Sequence, residues 1–209
     1  NLPLGDNNAV RFSGYSTQEE GEIKNIVTDE RGELETWGGR LRLLSKITDD
    51  VETILTLARH EAKARNMVRE KVDYGVRTLA VAAADNVTLL ERDVFDRKTE
   101  AAGGDGRSTT NTLTSLDISW DINDAWSFNS LTGYQEFDRD NDEGDFPGEV
   151  NNTTSGLFNM FAYLGYTDDK TTTQEFRFTY EGGSLSTVIG AFYEHFEKWS
   201  RTDILTRIT

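Results

Sequence analysis

The stretch TTTQEFRFTYEGGSLSTVIGAFYEHFEKW, residues 171–199, decides the fold. It reads as two alternating runs about a glycine pair. In the first, Phe176, Phe178 and Tyr180 point one way while Glu175, Arg177 and Thr179 point the other. In the second, Val188, Gly190, Phe192 and Phe196 alternate with Ile189, Ala191, Tyr193 and His195. A repeat of two is the signature of a β-strand. Gly182-Gly183-Ser184 has the composition and length of a hairpin turn. The first run thus has one greasy face and one charged face, and the fold depends on what the greasy face touches.

Working outward, the same alternation bounded by turn residues predicts seven strands, at 9–16, 35–45, 51–61, 111–121, 125–137, 173–181 and 185–198. In the second, Trp37, Gly39, Leu41 and Leu43 share one face, with Gly38, Arg40 and Arg42 on the other. In the fourth, Leu116, Ile118 and Trp120 alternate with Ser115, Asp117 and Ser119. Strands two and three, four and five, and six and seven are joined by the short turns KITDD, IND and GGS. The other connections are long, roughly 17–34, 62–110 and 138–172. Loops above about 15 residues are uncommon in a compact domain. Short turns at one end and long loops at the other are the pattern of a bacterial outer-membrane barrel.

In such a barrel Phe176, Phe178 and Tyr180 would touch lipid, and Glu175 and Arg177 would face a polar lumen. Only a closed barrel satisfies every strand amide in hydrocarbon, and seven strands are too few and odd in number for a single-chain bacterial barrel. The expectation is an all-β, antiparallel up-and-down sheet that is a section of a larger transmembrane barrel. The alternative is a soluble extracellular β-sandwich that binds glycan or calcium through its loops. Trp120 and Trp126 flank the IND turn, Tyr134 and Phe137 close the far end of the fifth strand, and Phe196 and Trp199 that of the seventh. These aromatics are the expected interfacial girdles.

Composition agrees. The chain has 209 residues, a formal net charge of -15 and no cysteine. Its mean hydropathy is -0.59, and no stretch approaches the roughly 20 apolar residues of a spanning helix. There is no thiol chemistry and no disulfide framework. Nucleic-acid binding needs a basic footprint, the opposite of this charge. The excess acid is concentrated in 138–171, with eight acids and two bases, and in 17–32, with five and two. The chain opens NLPLGDNNAVRF, with no charged-then-apolar leader. That beginning and the strand count lead us to expect a piece of something longer.

Three blocks together resemble the barrel of a TonB-dependent outer-membrane receptor. TTTQEFRFTYEGGSLSTVIGAFYEHFEK resembles a family hairpin whose Gln-Glu-aromatic-Arg-Phe strand turns on Gly and returns as a Trp-x-x-Gly-x-Phe-Tyr strand; Thr187 stands near the expected aromatic. LTSLDISWDINDAWSFNSLTGYQEFDRDND resembles the hairpin that ends Ser-Leu-Thr-x-Tyr-x-x-Phe-x-x-Asp. FSGYSTQEEGEIKNI with TWGGRLRLLSKITDDVETILTLA resembles an earlier loop and hairpin, and the blocks stand in the family's order. The resemblance implies that residues 1–209 are part of a 22-stranded barrel. The plug domain, the TonB-engaging segment and the C-terminal strand would lie outside them. It implies active import of a scarce nutrient such as a ferric siderophore, cobalamin or oligosaccharide, energised through TonB, without covalent chemistry or a cofactor. The implied location is the cell outer membrane, with its lipid as a partner. A passive porin-like barrel is the nearest relative reading.

Residues that would carry chemistry are sparse. ARHEAKA holds His60 and Glu61 but lacks the second His of the zinc-protease motif. His60 and His195 read as isolated surface or lumen histidines. GGDGRST, 103–109, lacks the Lys of a phosphate loop, and no Gly-x-Ser-x-Gly elbow occurs. Asp138, Asp140, Asp142 and Glu149 occupy positions 1, 3, 5 and 12 of a calcium loop, but Glu143 replaces the required Gly. They remain candidate ligands of a looser site. Arg40, Arg42 and Arg177 are the candidates to neutralise an anionic ligand such as a ferric chelate, or to pair with neighbouring acids. Tyr163 and Tyr166, in the apolar outer stretch GLFNMFAYLGY, are the candidate amphipathic contacts. VRTLAVAAA, 76–84, is open between strand, helix turn and loop.

Overall fold

The computed structural model describes residues 1–25, 29–65, 76–84, 95–99, 106–143 and 161–206. Seven long strands form one antiparallel meander: β2 (Asn8–Asn25), β3 (Arg31–Lys46), β4 (Val51–Arg65), β6 (Gly106–Asn123), β7 (Trp126–Glu143), β8 (Phe161–Gly182) and β9 (Leu185–Thr206). Two-residue strands β1 (Leu2–Pro3) and β5 (Lys98–Thr99) pair with opposite ends of β2, β1 antiparallel and β5 parallel. One helix, α1 (Val76–Ala84), occupies the stretch whose conformation the sequence left open; five of its nine residues are Ala or Leu, strong helix formers.

All seven predicted strands are present, and every one is longer than expected. The long connections contract accordingly. Residues 17–25 and 31–34 are strand, so the first connection is 26–30; the others are 66–105 and 144–160. Most of the extensions are polar on both faces, as in Thr17–Glu22 and Asp138–Asp142, and carry no alternation signal. They are held by the backbone ladder, which is continuous from Asn8↔Ser45 to Glu20↔Glu33 between β2 and β3.

The tight turns have local causes. Between β3 and β4, Ile47 N–H donates to the Val51 carbonyl at 2.8 Å. Between β6 and β7, Asn123 Oδ1 accepts from the amides of Ala125 at 3.0 Å and Trp126 at 3.1 Å, the Asx geometry. Between β8 and β9, Gly183 takes φ +60°, the left-handed conformation a two-residue hairpin requires.

The sheet is a single layer. Among the described residues, every contact between elements joins two sheet neighbours. No second sheet covers either face, so the face-to-face packing of a β-sandwich does not occur there. Among the described residues the fully buried large side chain is Asn25, a polar residue. The chain exposes 13639 Å², whereas a compact monomer of its mass exposes about 9,800 Å². Among the described residues both edges are open: β9 pairs only with β8, and β2 is covered only at its two ends. Such a sheet must obtain its stability from what surrounds it.

Candidate functional site

Register assigns every strand residue to a face, because paired residues share one. From Phe178 the ladder runs through Phe128 and Trp120 to Val51, and on the other side to Ile189. The neighbouring rows add Leu116, Leu55, Leu43 and Val10, then Leu57, Leu41 and Phe12. One face therefore carries an apolar band across all seven long strands, at the tight-turn half of the sheet. Its rings meet: Phe128 lies 4.6 Å from Phe178 and 6.1 Å from Phe176, and Trp126 lies 4.9 Å from Tyr180, centroid to centroid. These side chains are open to their surroundings, with Phe12 74%, Ile189 63% and Phe178 43% exposed.

The border of the band is oblique. On β2, β3 and β4 it is the row Phe12–Leu41–Leu57, which continues to Thr114, Tyr134 and Thr172. On β8 the last apolar residue before that row is Phe176, four residues nearer the turn than Thr172. Four residues, about 13 Å, over three steps of about 4.8 Å make a strand tilt of about 40°, within the range of closed barrels. The expected girdle is half right. Trp120, Trp126, Tyr134 and Trp199 fall on the apolar face, but Phe137 and Phe196 pair with Asp169 and Thr171 on the opposite one. Position along the strand predicted their height; parity, counted across partners, decided their side.

The opposite face is polar over most of its area and holds the candidate site. Arg40, Arg42 and Arg177 all lie on it, as predicted. Arg177 bonds Glu175 on its own strand. Arg40 and Arg42 have no ion-pair or hydrogen-bond partner among the described residues. Arg11 lies directly opposite Arg42, and its Nε donates to Asn1 Oδ1. Two rows from that pair, toward the loop end, the Tyr15 hydroxyl is hydrogen-bonded to His60 Nδ1, with ring centroids 5.9 Å apart and planes 30° from parallel. The two rings reach across β3 at Gly38, where an added Cβ would come within 2.6 Å of the Tyr15 ring. A cavity of about 430 Å³ opens there, lined by Tyr15, Gly38, Arg40, His60, Asn111 and Leu113. His60, expected to be isolated, is partnered.

A second recess, of about 360 Å³, lies nearer the loop end of this face and gathers Arg107, Arg139 and Lys198. Arg107 Nε donates to Asn141 Oδ1 at 2.9 Å, and Arg139 Nη2 to Thr167 Oγ1 at 3.4 Å. Lys198 Nζ lies 3.8 Å from Asp169. Neither Tyr15 nor these three cations carried a motif; only their convergence marks them.

The remaining candidates disperse. Tyr163 pairs along the ladder with Glu143 and Ile204. Tyr166 lies on the apolar face, where its ring packs edge-on against Trp199 at 5.3 Å. Asp138, Asp140 and Asp142 lie in extended β7, all on the apolar face. Same-face neighbours in a strand are about 6.6 Å apart, so these positions do not wrap an ion as a loop would. Glu149, Gly103, Gly104 and residues 156–160 lie outside the described residues. His195 is bonded to Glu197 at 3.1 Å and is far from His60 along the ladder, so the two histidines form no shared site.

No family model matches the chain, and none of the curated proteins does. Two solved structures do match. The ferric yersiniabactin uptake receptor FyuA from Yersinia pestis superposes over 98% of this chain with a TM-score of 0.68 and 14% identity. The siderophore receptor PiuA from Acinetobacter baumannii superposes over 94% with a TM-score of 0.63 and 14% identity. The chain spans 28% and 27% of those two receptors. With its open edges, single layer and oblique apolar band, the chain has the fold of a section of a TonB-dependent receptor barrel.

Proposed function

We propose that this chain forms part of the wall and outer connections of an outer-membrane receptor that imports a scarce nutrient, energised through TonB by segments outside residues 1–209. The observation that carries the reading is the apolar band on one face of a single-layer sheet. Water would be a poor solvent for it, and exposing apolar area costs about 25 cal/mol per Å². In a bilayer the same band is at home, with the polar face lining a lumen and open edges closed by further strands. The long-loop end is then the outer surface, as in barrels of this class. The chain's part is to bind and enclose; it performs no bond chemistry.

The ligand we favour is a ferric siderophore. One matched structure is by name a ferric yersiniabactin uptake receptor and the other a siderophore receptor. Arg107, Arg139 and Lys198 would stand at the outer mouth of the lumen and attract an anionic chelate in an otherwise acidic protein.

Residues 1–209 hold no cysteine, so a single cysteine introduced among them is the one labelling site in this section. In bilayers, a fluorophore at Phe178→Cys should be quenched by bromolipid and one at Arg177→Cys should not. Equal quenching at both positions would remove the barrel reading. Loss of iron uptake from ferric chelates on deleting the protein, and again on uncoupling TonB, tests the transport step.

A further inference from the structure

We infer that β5 is a stop strand: in the full-length protein it takes the outer end of β2's free edge, so the strand that continues β1 pairs with β2 only below Lys24. The inference rests on the barrel reading, in which a further strand closes that edge, and it fixes the height at which the closure ends. Three observations carry it.

The first is the continuity of β1 with β2. Leu2 and Pro3 pair antiparallel with Val10 and Ala9. The turn between the strands is tight: Leu4 N–H donates to the Asn8 carbonyl at 2.8 Å, and Gly5 takes φ +79°. One step further up, Arg11 Nε donates to Asn1 Oδ1. β1 thus starts a ladder whose next rungs lie along β2 from Phe12 onward. Each step up β2 is one step back along the chain, so the fifth residue before Asn1 would face Ser16. Such a strand would satisfy the backbone groups that this edge leaves open.

The second is that the upper end of the edge is already taken. Lys24 pairs with Arg31 of β3 on one side and, in parallel, with Lys98 of β5 on the other. The Lys24 N–H donates to the Arg97 carbonyl at 2.8 Å, whereas the Asn25 N–H turns the other way, to the Glu30 carbonyl at 2.7 Å. Each backbone amide of a strand serves one edge. The Lys24 amide is therefore closed to a strand rising along β2 from below. β5 belongs to the connection between β4 and β6, and β3 stands between β4 and β2. That connection reaches three strand spacings from β4, about 14 Å, to cover this edge.

The third is that the junction is built. The β2–β3 register shifts between Glu20 and Lys24, so that Gly21, Glu22 and Ile23 stand opposite Gly32. Such a bulge bends its strand and interrupts the ladder. Arg31 satisfies it: Nη1 donates to the carbonyls of Gly21, at 3.4 Å, and Glu22, and Nε lies 3.5 Å from Glu20 Oε1. From the β5 side, Arg97 Nη1 lies 3.1 Å from Glu22 Oε2, and Asp96 Oδ1 accepts from the Lys98 amide at 2.9 Å. Asn25 is fully buried at the end of β2. Covering an open edge with a segment of the same chain is one way proteins end strand pairing. Here the bulge and the occupied amide meet a rising strand at the same height.

The test is disulfide trapping in the full-length protein in its membrane, with any native cysteine replaced by serine. Disulfides form between residues whose Cα atoms lie about 4.4–6.8 Å apart. Lys24→Cys should link to Lys98→Cys on mild oxidation, and Ser16→Cys should link to a cysteine at the fifth residue before Asn1. An uninterrupted ladder would bring the thirteenth residue before Asn1 opposite Lys24. Cysteines there and at its neighbours should link to Lys24→Cys at least about tenfold less than Lys98→Cys does. Mass spectrometry of unreduced peptides measures each yield, and heat-modifiable gel mobility verifies that each variant is a folded barrel.

Linkage of Lys24→Cys to the stretch before Asn1, with a yield equal to or above that of Lys98→Cys, would overturn the stop and leave the barrel standing. Linkage of Lys24→Cys to Lys98→Cys, with none from Ser16→Cys to any residue before Asn1, would remove the barrel reading and the stop with it, since no strand would lie there to be limited.

Discussion

The tight-turn half and the loop half of the same strands obey different rules. Near the turns, one face is apolar and the other mostly polar, most plainly in β6: Leu116, Ile118 and Trp120 against Ser115, Asp117 and Ser119. Near the loops, β7 is polar on both faces, with Glu136, Asp138 and Asp140 on one side and Arg139 and Asn141 on the other, while β8 and β9 keep isolated apolar residues such as Leu164, Tyr166, Trp199 and Ile204. The backbone ladder runs through both halves without interruption between β7 and β8. Hydrogen-bond pairing alone therefore extends a strand, and side chains then record the solvent at each height. On the barrel reading proposed above, the first half would meet hydrocarbon on one side and the second would stand mostly in water.

The most direct way to break this contrast is to move a charge across it. Phe178→Arg, in the apolar band, should cost about 2–4 kcal/mol of unfolding free energy in bilayers, whereas Thr110→Arg, on the same face near the loops, should cost about 0–1. Urea titration of the full-length barrel in lipid measures both, and equal costs would end the two-solvent account. Next in size is a pair of adjacent glycines. An Ala at position 38 meets the Tyr15 ring at 2.6 Å, while one at position 39 finds nothing nearer than 3.9 Å. Gly38→Ala should destabilise by about 1–2 kcal/mol through overpacking and Gly39→Ala by less than about 0.5. A smaller effect comes from the ion pairs of the loop half. Lys170 lies 3.3 Å from Glu136 and 3.2 Å from Asp168. Lys170→Met should cost less than about 1 kcal/mol and should lose that effect in high salt.

The smallest effect is a titration at the loop end. The Lys24 ammonium, by hydrogen bond and by charge, holds the Asp29 carboxyl below its usual range. A depressed folded pKa means the contact favours the folded form above the ordinary carboxylate range and is lost as pH falls through the folded value. Carbon-detected NMR of Asp29 should show the low pKa, and Lys24→Met should return it to normal. Because the pair is exposed, acid unfolding of the barrel should hardly change.

What the sequence revealed follows the same boundary. The strand centres and the sides of Arg40, Arg42 and Arg177 were legible because hydrophobic alternation marks them. The ends of β2 and β8 were not, because Thr17–Glu22 and Thr167–Thr172 are polar on both sides. Phe137 and Phe196 were placed at the correct height and on the wrong side. The candidate site was half legible: Arg40 and Arg42 could be read, but Tyr15 and His60 meet over a glycine of a third strand, 45 residues apart in the chain.

By itself the sequence determined an all-β meander with one greasy face, because a repeat of two residues is a local property that survives any partner. Only the tertiary structure decided that no second layer covers that face among the described residues, that Arg11 stands against Arg42, and that Tyr15 lies on Gly38 beside His60. Those depend on the register between strands, which is set by the pairing of whole ladders and by no single stretch of chain.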